Sequence, residues 1–189
     1  MARPRIIDRA AVLRASLAIA DEHGIGVLTM QAVAERLGVT PMALYRHVEN
    51  KQDLVDGVVE SLLNEIPPPS GDQAWDEQLS TMGQAFRTIA RRHPTVFPLL
   101  LQRPATTPGA RRVRERVYRA LRHAGVAEGS VERVERLIST IVLGFAASEV
   151  SGRFRAHSRK ALDADYAALE DIIRLGMNPY LTSGRRSAG

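Results

Sequence analysis

Apolar residues recur three or four positions apart along most of the chain, and no stretch alternates convincingly with period two. From Asp8 to His23, Ala10, Leu13, Leu17 and Ala20 form one stripe that Gly24 and Gly26 terminate, which predicts a first helix. Thr29 is a good N-cap residue, and Ala32, Val33 and Leu37 repeat until Gly38, so a short second helix is expected over residues 30–37. Pro41 biases Thr40 to an extended backbone and itself suits the first helical position. Thr40 is therefore expected to cap a third helix over residues 41–47. Asn50 offers the next cap, Asp53 favours the helix dipole from the first turn, and Leu54, Val58, Ser61 and Leu62 continue one face to about Glu65.

Pro67, Pro68 and Pro69, followed by Ser70 and Gly71, cannot continue that helix, because three residues lack the amide hydrogen and glycine costs backbone entropy. Beyond this boundary Trp75, Leu79, Met82, Phe86 and Ile89 share a stripe closed by Pro94, and a shorter helix is expected over residues 96–102. A loop over residues 103–109 leads to the stripe Val113, Val117, Ala120, Leu121 and Ala124. Ser130 is expected to cap a long helix to about Gly152, whose middle is apolar almost all round and should be buried. Leu162, Tyr166, Leu169 and Ile173 form a last stripe. The prediction is an all-α fold of about nine helices. It divides into residues 1–65, a helical body over residues 72–180 and a polar tail over residues 181–189.

Composition narrows the class. The 189 residues carry a net charge of +5, 44% are hydrophobic and 25% charged, as in a soluble globular chain of one or two domains. There is no cysteine, which excludes disulfides, thiolate metal sites and cysteine nucleophiles and fits a reducing cytoplasm. No apolar run reaches the roughly 20 residues a membrane helix needs, and the N-terminus lacks the pattern of a secretory signal. The five histidines show no metal-ligand spacing, and no nucleophile elbow, Walker loop or dinucleotide fingerprint is present. An enzyme, a metal site and a cofactor are not expected.

Two short helices around a glycine turn, flanked by longer ones, are the pattern of a helix-turn-helix DNA-binding unit. The chemistry of TPMALYRHVENK sharpens it. Thr40, Pro41 and Met42 at the start of the third helix can touch base edges in a major groove, while Leu44 and Val48 face the core. Tyr45 and His47 can reach phosphate or base, and Lys51 can join the free amides of the fourth helix around one phosphate.

Residues 28–54, LTMQAVAERLGVTPMALYRHVENKQDL, resemble the helix-turn-helix of the tetracycline-repressor (TetR) family of transcriptional regulators through Leu44-Tyr45-Arg46-His47-Val48-Glu49-Asn50-Lys51 and Leu54. The resemblance implies phosphate contacts from Thr29, Tyr45, His47 and Lys51 and base contacts from Gln31, Thr40, Pro41, Met42 and Arg46. It also implies an all-helical homodimer that binds a near-palindromic double-stranded operator and releases it when a small molecule enters the C-terminal domain. The family varies at Gln31, Thr40, Pro41 and Met42, so a relative does not supply the operator sequence.

Charge does not simply endorse this reading. Residues 1–64 hold seven basic and eight acidic groups, whereas residues 87–122 hold ten arginines and one acid, Glu115. The basic groups of the first segment gather at its N-terminal arm and around the third and fourth helices. For the second segment a solvated face is expected, with Arg112, Arg116 and Arg119 in line. The candidate effector cavity draws apolar walls from Met82, Phe86, Phe97, Leu100 and Phe145 and polar anchors from His93, Tyr118 and Glu149, which fits a mainly apolar, drug-sized ligand. The dimer contact is expected at Ile138, Val142, Gly144, Ala147 and Ser148 together with Leu162, Tyr166 and Leu169. The alternative from another class is a constitutive helix-turn-helix architectural protein without a ligand.

Overall fold

The computed structural model describes residues 7–68, 73–103 and 106–181. Among the described residues there are nine α-helices and no strand. Local chemistry starts most of the helices. At α1 (Arg9–His23) the Asp8 carboxylate accepts the Ala11 amide at 2.6 Å, and at α2 (Met30–Leu37) the Thr29 hydroxyl accepts that of Ala32 at 3.1 Å. Gly38 ends α2 in the left-handed region, φ +69°, where glycine meets no Cβ penalty.

The third helix is shorter than the pattern predicts. α3 spans Pro41–Leu44, and residues 45–47 continue as a turn. Thr40 has the expected extended backbone, but its hydroxyl makes no cap bond, because the Ala43 amide is taken by the Thr40 carbonyl at 3.0 Å. The expectation of a side-chain cap is overturned there, and the exposed hydroxyl is left without an intramolecular partner among the described residues. α4 (Lys51–Asn64) starts as predicted, with Asn50 Oδ1 accepting the Asp53 amide at 3.0 Å.

α1 buries Val12, Ala15, Ser16, Ile19 and Ala20 and leaves Ala10 exposed, a face rotated from the predicted stripe. The reason is tertiary: α1 packs against both α2 and α4, so its buried sector lies between them. Gly57 permits the close approach to α4, since a Cβ there would collide with Leu13 Cδ2.

α5 (Trp75–Arg92) follows the pattern, while α6 covers only Leu99–Gln102. α7 (Pro108–His123) begins earlier than expected, because Thr107 caps it and Pro108 takes the first position. α8 (Glu128–Val150) starts at Ala127 and not at Ser130, whose amide donates to the Ala127 carbonyl at 2.7 Å. α9 (Arg159–Gly176) is capped by Ser158. Leu181 belongs to the body and not to a loose tail. A 3₁₀ turn over Asn178–Tyr180 brings it back to pair with Val126, against Leu121 and Met177. Residues 182–189 of the predicted tail lie outside the described residues.

The main core runs without interruption from Val12 and Leu28 through Leu54 and Leu62 to Met82, Phe97 and Ala146. α4 packs on α7, and α5 and α7 pack on α8, so the N-terminal helices are seated on the body and not tethered to it. The middle of α8 is not covered all round as its composition predicts. Leu137 and Ile141 remain 48% and 44% exposed, beside Ile172 and Leu175 of α9 at 67% and 68%. Among the described residues no helix is long and apolar enough to cross a membrane.

Candidate DNA interface and ligand cavity

Leu44 and Val48 are buried as anchors of the α3 turn, and this turns the neighbouring side chains outward. Met42 is 74% and Tyr45 52% exposed, and Thr29, Gln31, Thr40, Arg46 and Lys51 are also exposed, with Pro41 and His47 half-buried. These residues lie on α2, α3 and the start of α4. Among the described residues two of these side chains have intramolecular hydrogen bonds: Thr29 caps α2, and the Gln31 amide donates to Glu35 Oε1 at 2.6 Å.

An ion pair holds the turn in place. Arg9 of α1 donates to the His47 carbonyl at 2.6 Å and makes a two-point pair with Asp53 at 2.5 and 2.9 Å, and Asp53 also accepts the Glu49 amide. The Arg9 hydrogen bonds hold the Asp53 carboxyl below its ordinary range. Arg9 is thus a positioning residue, and Arg36 is likewise engaged, with Glu22 at 2.6 Å.

Arg112 and Arg119 are exposed as the spacing of the arginine-rich segment predicts and Arg116 is half-buried, but several arginines of the segment are also engaged in ion pairs. Arg103 pairs with Asp56, Arg112 with Glu60 and Arg92 with Glu65, at 2.5, 2.8 and 2.5 Å. Arg116 donates to the Ile66 and Pro67 carbonyls beyond the end of α4. Of the eight acids in residues 1–64, Asp56 and Glu60 are thus turned to arginines of the body, while Glu22 and Asp53 pair with Arg36 and Arg9 within the N-terminal helices. Sequence distance, 47, 52 and 27 residues for the three ion pairs with the body, hides this match.

Between α4, α5, α7 and α8 lies a mainly apolar cavity of about 140 Å³. Met82, Phe86 and Leu100 line it as expected. Val59 and Leu63 of α4 complete one side, a contribution missed because the predicted stripe of this helix, Leu54, Val58, Ser61 and Leu62, does not include them. Arg103, Arg114 and Glu135 are its charged members. Burial raises the Glu135 carboxyl above its ordinary range, against the pull of Arg114 and Ser139. The volume is below the roughly 300–1,000 Å³ of drug-sized sites, close to cavities that admit one aromatic ring. A second compartment of about 400 Å³ adjoins it and shares Leu79, Ile138 and Val142.

Five expected wall residues lie elsewhere. Phe97 is fully buried in the core, and Tyr118 packs in the second core under the Arg122 guanidinium. Phe145 stacks on Phe154 and Tyr166. His93 bridges α1 and the end of α4, with Nδ1 2.7 Å from Asp21 and Nε2 3.3 Å from Glu65. Glu149 is held by Arg87 and Arg91 at 2.9 and 2.5 Å. Its burial would raise the carboxyl, but the two guanidiniums outweigh this and keep it below the ordinary range. The Glu149 carboxylate is thus paired, as a buried charge must be, whereas His93 Nε2 and Asp21 Oδ1 are buried without a hydrogen-bond partner among the described residues.

A glycine turn between two short helices, locked by flanking helices and set on a helical body with an apolar cavity, defines a helix-turn-helix regulator with its own sensing body. Residues 12–58 match the model for bacterial regulatory proteins of the tetR family, and residues 67–187, more than half of the chain, match the tetracyclin repressor-like C-terminal domain. The chain belongs to the tetracycline-repressor family. It is 29% identical over 184 residues to the HTH-type transcriptional repressor DrrR1 of Streptomyces coeruleorubidus, covering 94% of this chain and 67% of that one. The structure of BioQ with its double-stranded DNA operator is 32% identical, with a TM-score of 0.69 over 88% of this chain and 99% of that one. A single-substitution variant of TetR from Acinetobacter baumannii AYE, in complex with minocycline, is 25% identical, with a TM-score of 0.78 over 94% and 100%.

Proposed function

We propose that this chain is a cytoplasmic, non-catalytic transcriptional repressor that binds a near-palindromic operator as a homodimer and is released by a small apolar effector. The observation that carries this reading is the double use of α4. Its first residue, Lys51, stands beside the exposed α3 surface, and Val59 and Leu63 form part of the cavity wall about 12–18 Å further along the same helix. A molecule that widens the cavity pushes on the element that orients the DNA-reading turn. The BioQ complex with operator and the minocycline complex support both halves of this reading in relatives.

In this proposal residues 1–65 read DNA and residues 72–180 sense and dimerise. Thr29, Tyr45, His47 and Lys51 contact phosphates, while Gln31, Thr40, Pro41, Met42 and Arg46 face bases, Gln31 after leaving Glu35. Met82, Phe86 and Leu100 meet the effector.

Selection of bound fragments from genomic DNA tests the proposal. Recovery of one sequence with two half-sites about 34 Å apart supports it, and uniform coating of all DNA supports the constitutive alternative. On the selected fragment, Lys51→Ala should lower the slope of log affinity against log salt by about one and weaken all sequences alike, with an unchanged melt. An unaltered slope removes Lys51 from the phosphate contacts. Thr40→Ala and Met42→Ala should instead change which fragments are selected, because base contacts specify sequence; a uniform loss would contradict that.

A further inference from the structure

The charged residues of the cavity wall are not equivalent. Glu135 is half-buried and faces Arg114, its electrostatic partner on α7. Arg103 is different, because its partner lies outside the wall. Its side chain is 20% exposed and donates from Nη2 to Asp56 of α4 at 2.5 Å, and the Gln52 amide, turned to present its oxygen, faces the same guanidinium. Asp56 is 42% exposed and does not line the cavity. The wall thus holds two guanidiniums and one carboxyl, and the excess positive charge sits at Arg103.

We propose that the effector is a small, one-ring apolar molecule ending in a carboxylate or comparable anionic oxygen, and that this group takes Arg103 from Asp56. The inference rests on the ligand-released reading above and names its ligand class and trigger. Three observations carry it. The apolar volume limits the body of the ligand to about that size without rearrangement. The one acid of the wall is matched by Arg114, so a cationic ligand finds no spare partner, whereas an anion finds Arg103.

The third observation is the inequality of the two competitors. Asp56 is screened by water, so its hold on Arg103 is weak. A carboxylate inside the apolar cavity loses its water, and a two-point charge-assisted pair through both terminal nitrogens of Arg103 is the geometry that repays that cost. Asp56 lies between Lys51 and Val59 on α4, so losing Arg103 frees that helix midway between the DNA surface and the cavity. Ligand binding and loosening of α4 are then the same event, which is the differential contact that coupling requires.

Calorimetry on the full-length protein with 4-ethylbenzoate, 4-ethylbenzamide and 4-ethylbenzylamine tests this directly. The benzoate is expected to bind about tenfold more tightly than either neighbour, the difference between a charge-assisted and a neutral hydrogen bond. Arg103→Gln should erase that preference. Asp56→Asn should instead strengthen benzoate binding several-fold, because it removes the competitor and leaves Arg103 in place. Equal affinity for the three probes, preference for the amine, no binding of any, or an Asp56→Asn variant with unchanged benzoate affinity overturns the proposal. The genomic selection contains no aryl acid, so its result bears on the regulator reading alone.

Discussion

Arg87→Ala is expected to destabilise the protein by about 3–5 kcal/mol, the usual cost of breaking a buried ion pair from one side. For a chain of this length that lowers the thermal midpoint by roughly 6–20 °C. Arg87 is 2% exposed and joins three helices: it donates to Glu149 at 2.9 and 3.1 Å and to Asp163 at 2.9 Å, and its guanidinium carbon lies 4.4 Å from the centre of the Tyr166 ring. Without it, Glu149 stays buried with Arg91 alone. Replacing both partners, Arg87→Met with Glu149→Leu, should recover much of the loss, because a buried pair contributes little over apolar side chains of similar volume. A single variant that melts within about 2 °C of the parent, a shift the length of this chain equates with under 1 kcal/mol, would show that the cluster is dispensable.

The same cluster sets an acid limit. Glu149 and Asp163 are held below their ordinary carboxylate ranges by Arg87 and Arg91, although burial opposes this at Glu149. A depressed folded-state value contributes stability that is fully present above the unfolded value of about 4 and is lost as pH falls through the lowered value. Melts recorded below about pH 4 should therefore drop steeply in the parent and less steeply in Arg87→Ala, where the depression is smaller. Parallel curves for the two proteins would remove the cluster from the acid response.

Arginine at Ile141 or at Ile172 is expected to yield a monomer and to weaken operator binding by roughly a hundredfold or more, because leaving an uncompensated charge in an apolar contact costs about 3–5 kcal/mol. Both side chains are exposed in the protomer, so neither change disturbs its core. Part of the contact predicted from the stripe is taken up inside the protomer. Val142, Leu162 and Tyr166 are buried within the protomer and Ile138 lines the cavity, so they are not available to a second copy. The outward face of α8 runs through Leu137, Ile141, Gly144 and Ser148, and it continues on α9 through Leu169, Ile172 and Leu175. A Cβ added at Gly144 meets nothing within 4 Å, so Gly144→Arg serves as a further probe that leaves the protomer intact. Light scattering on the purified variants reads the mass, and dimers of both Ile141→Arg and Ile172→Arg would place the interface elsewhere.

The sequence by itself determined what is local. Helix starts at Asp8, Thr29 and Asn50 and the stop at Gly38 depend on one side chain or one dihedral acting within four residues, so they are legible without partners. The DNA-reading turn is legible for the same reason, since Tyr45, Arg46 and Lys51 lie within seven residues of one another and their exposure follows from the burial of Leu44 and Val48. Only the tertiary structure decided which sectors of the helices are covered. A stripe fixes the period of a helix but not its rotation when two neighbours compete for it, as on α1, and on α8 it does not separate protomer core from protein contact. Charge pairing was hidden more completely. Asp56, Glu60 and Glu65 meet Arg103, Arg112 and Arg92 across tens of residues, and Glu149 meets Arg87 across 62, because Coulomb attraction and desolvation depend on distance in space.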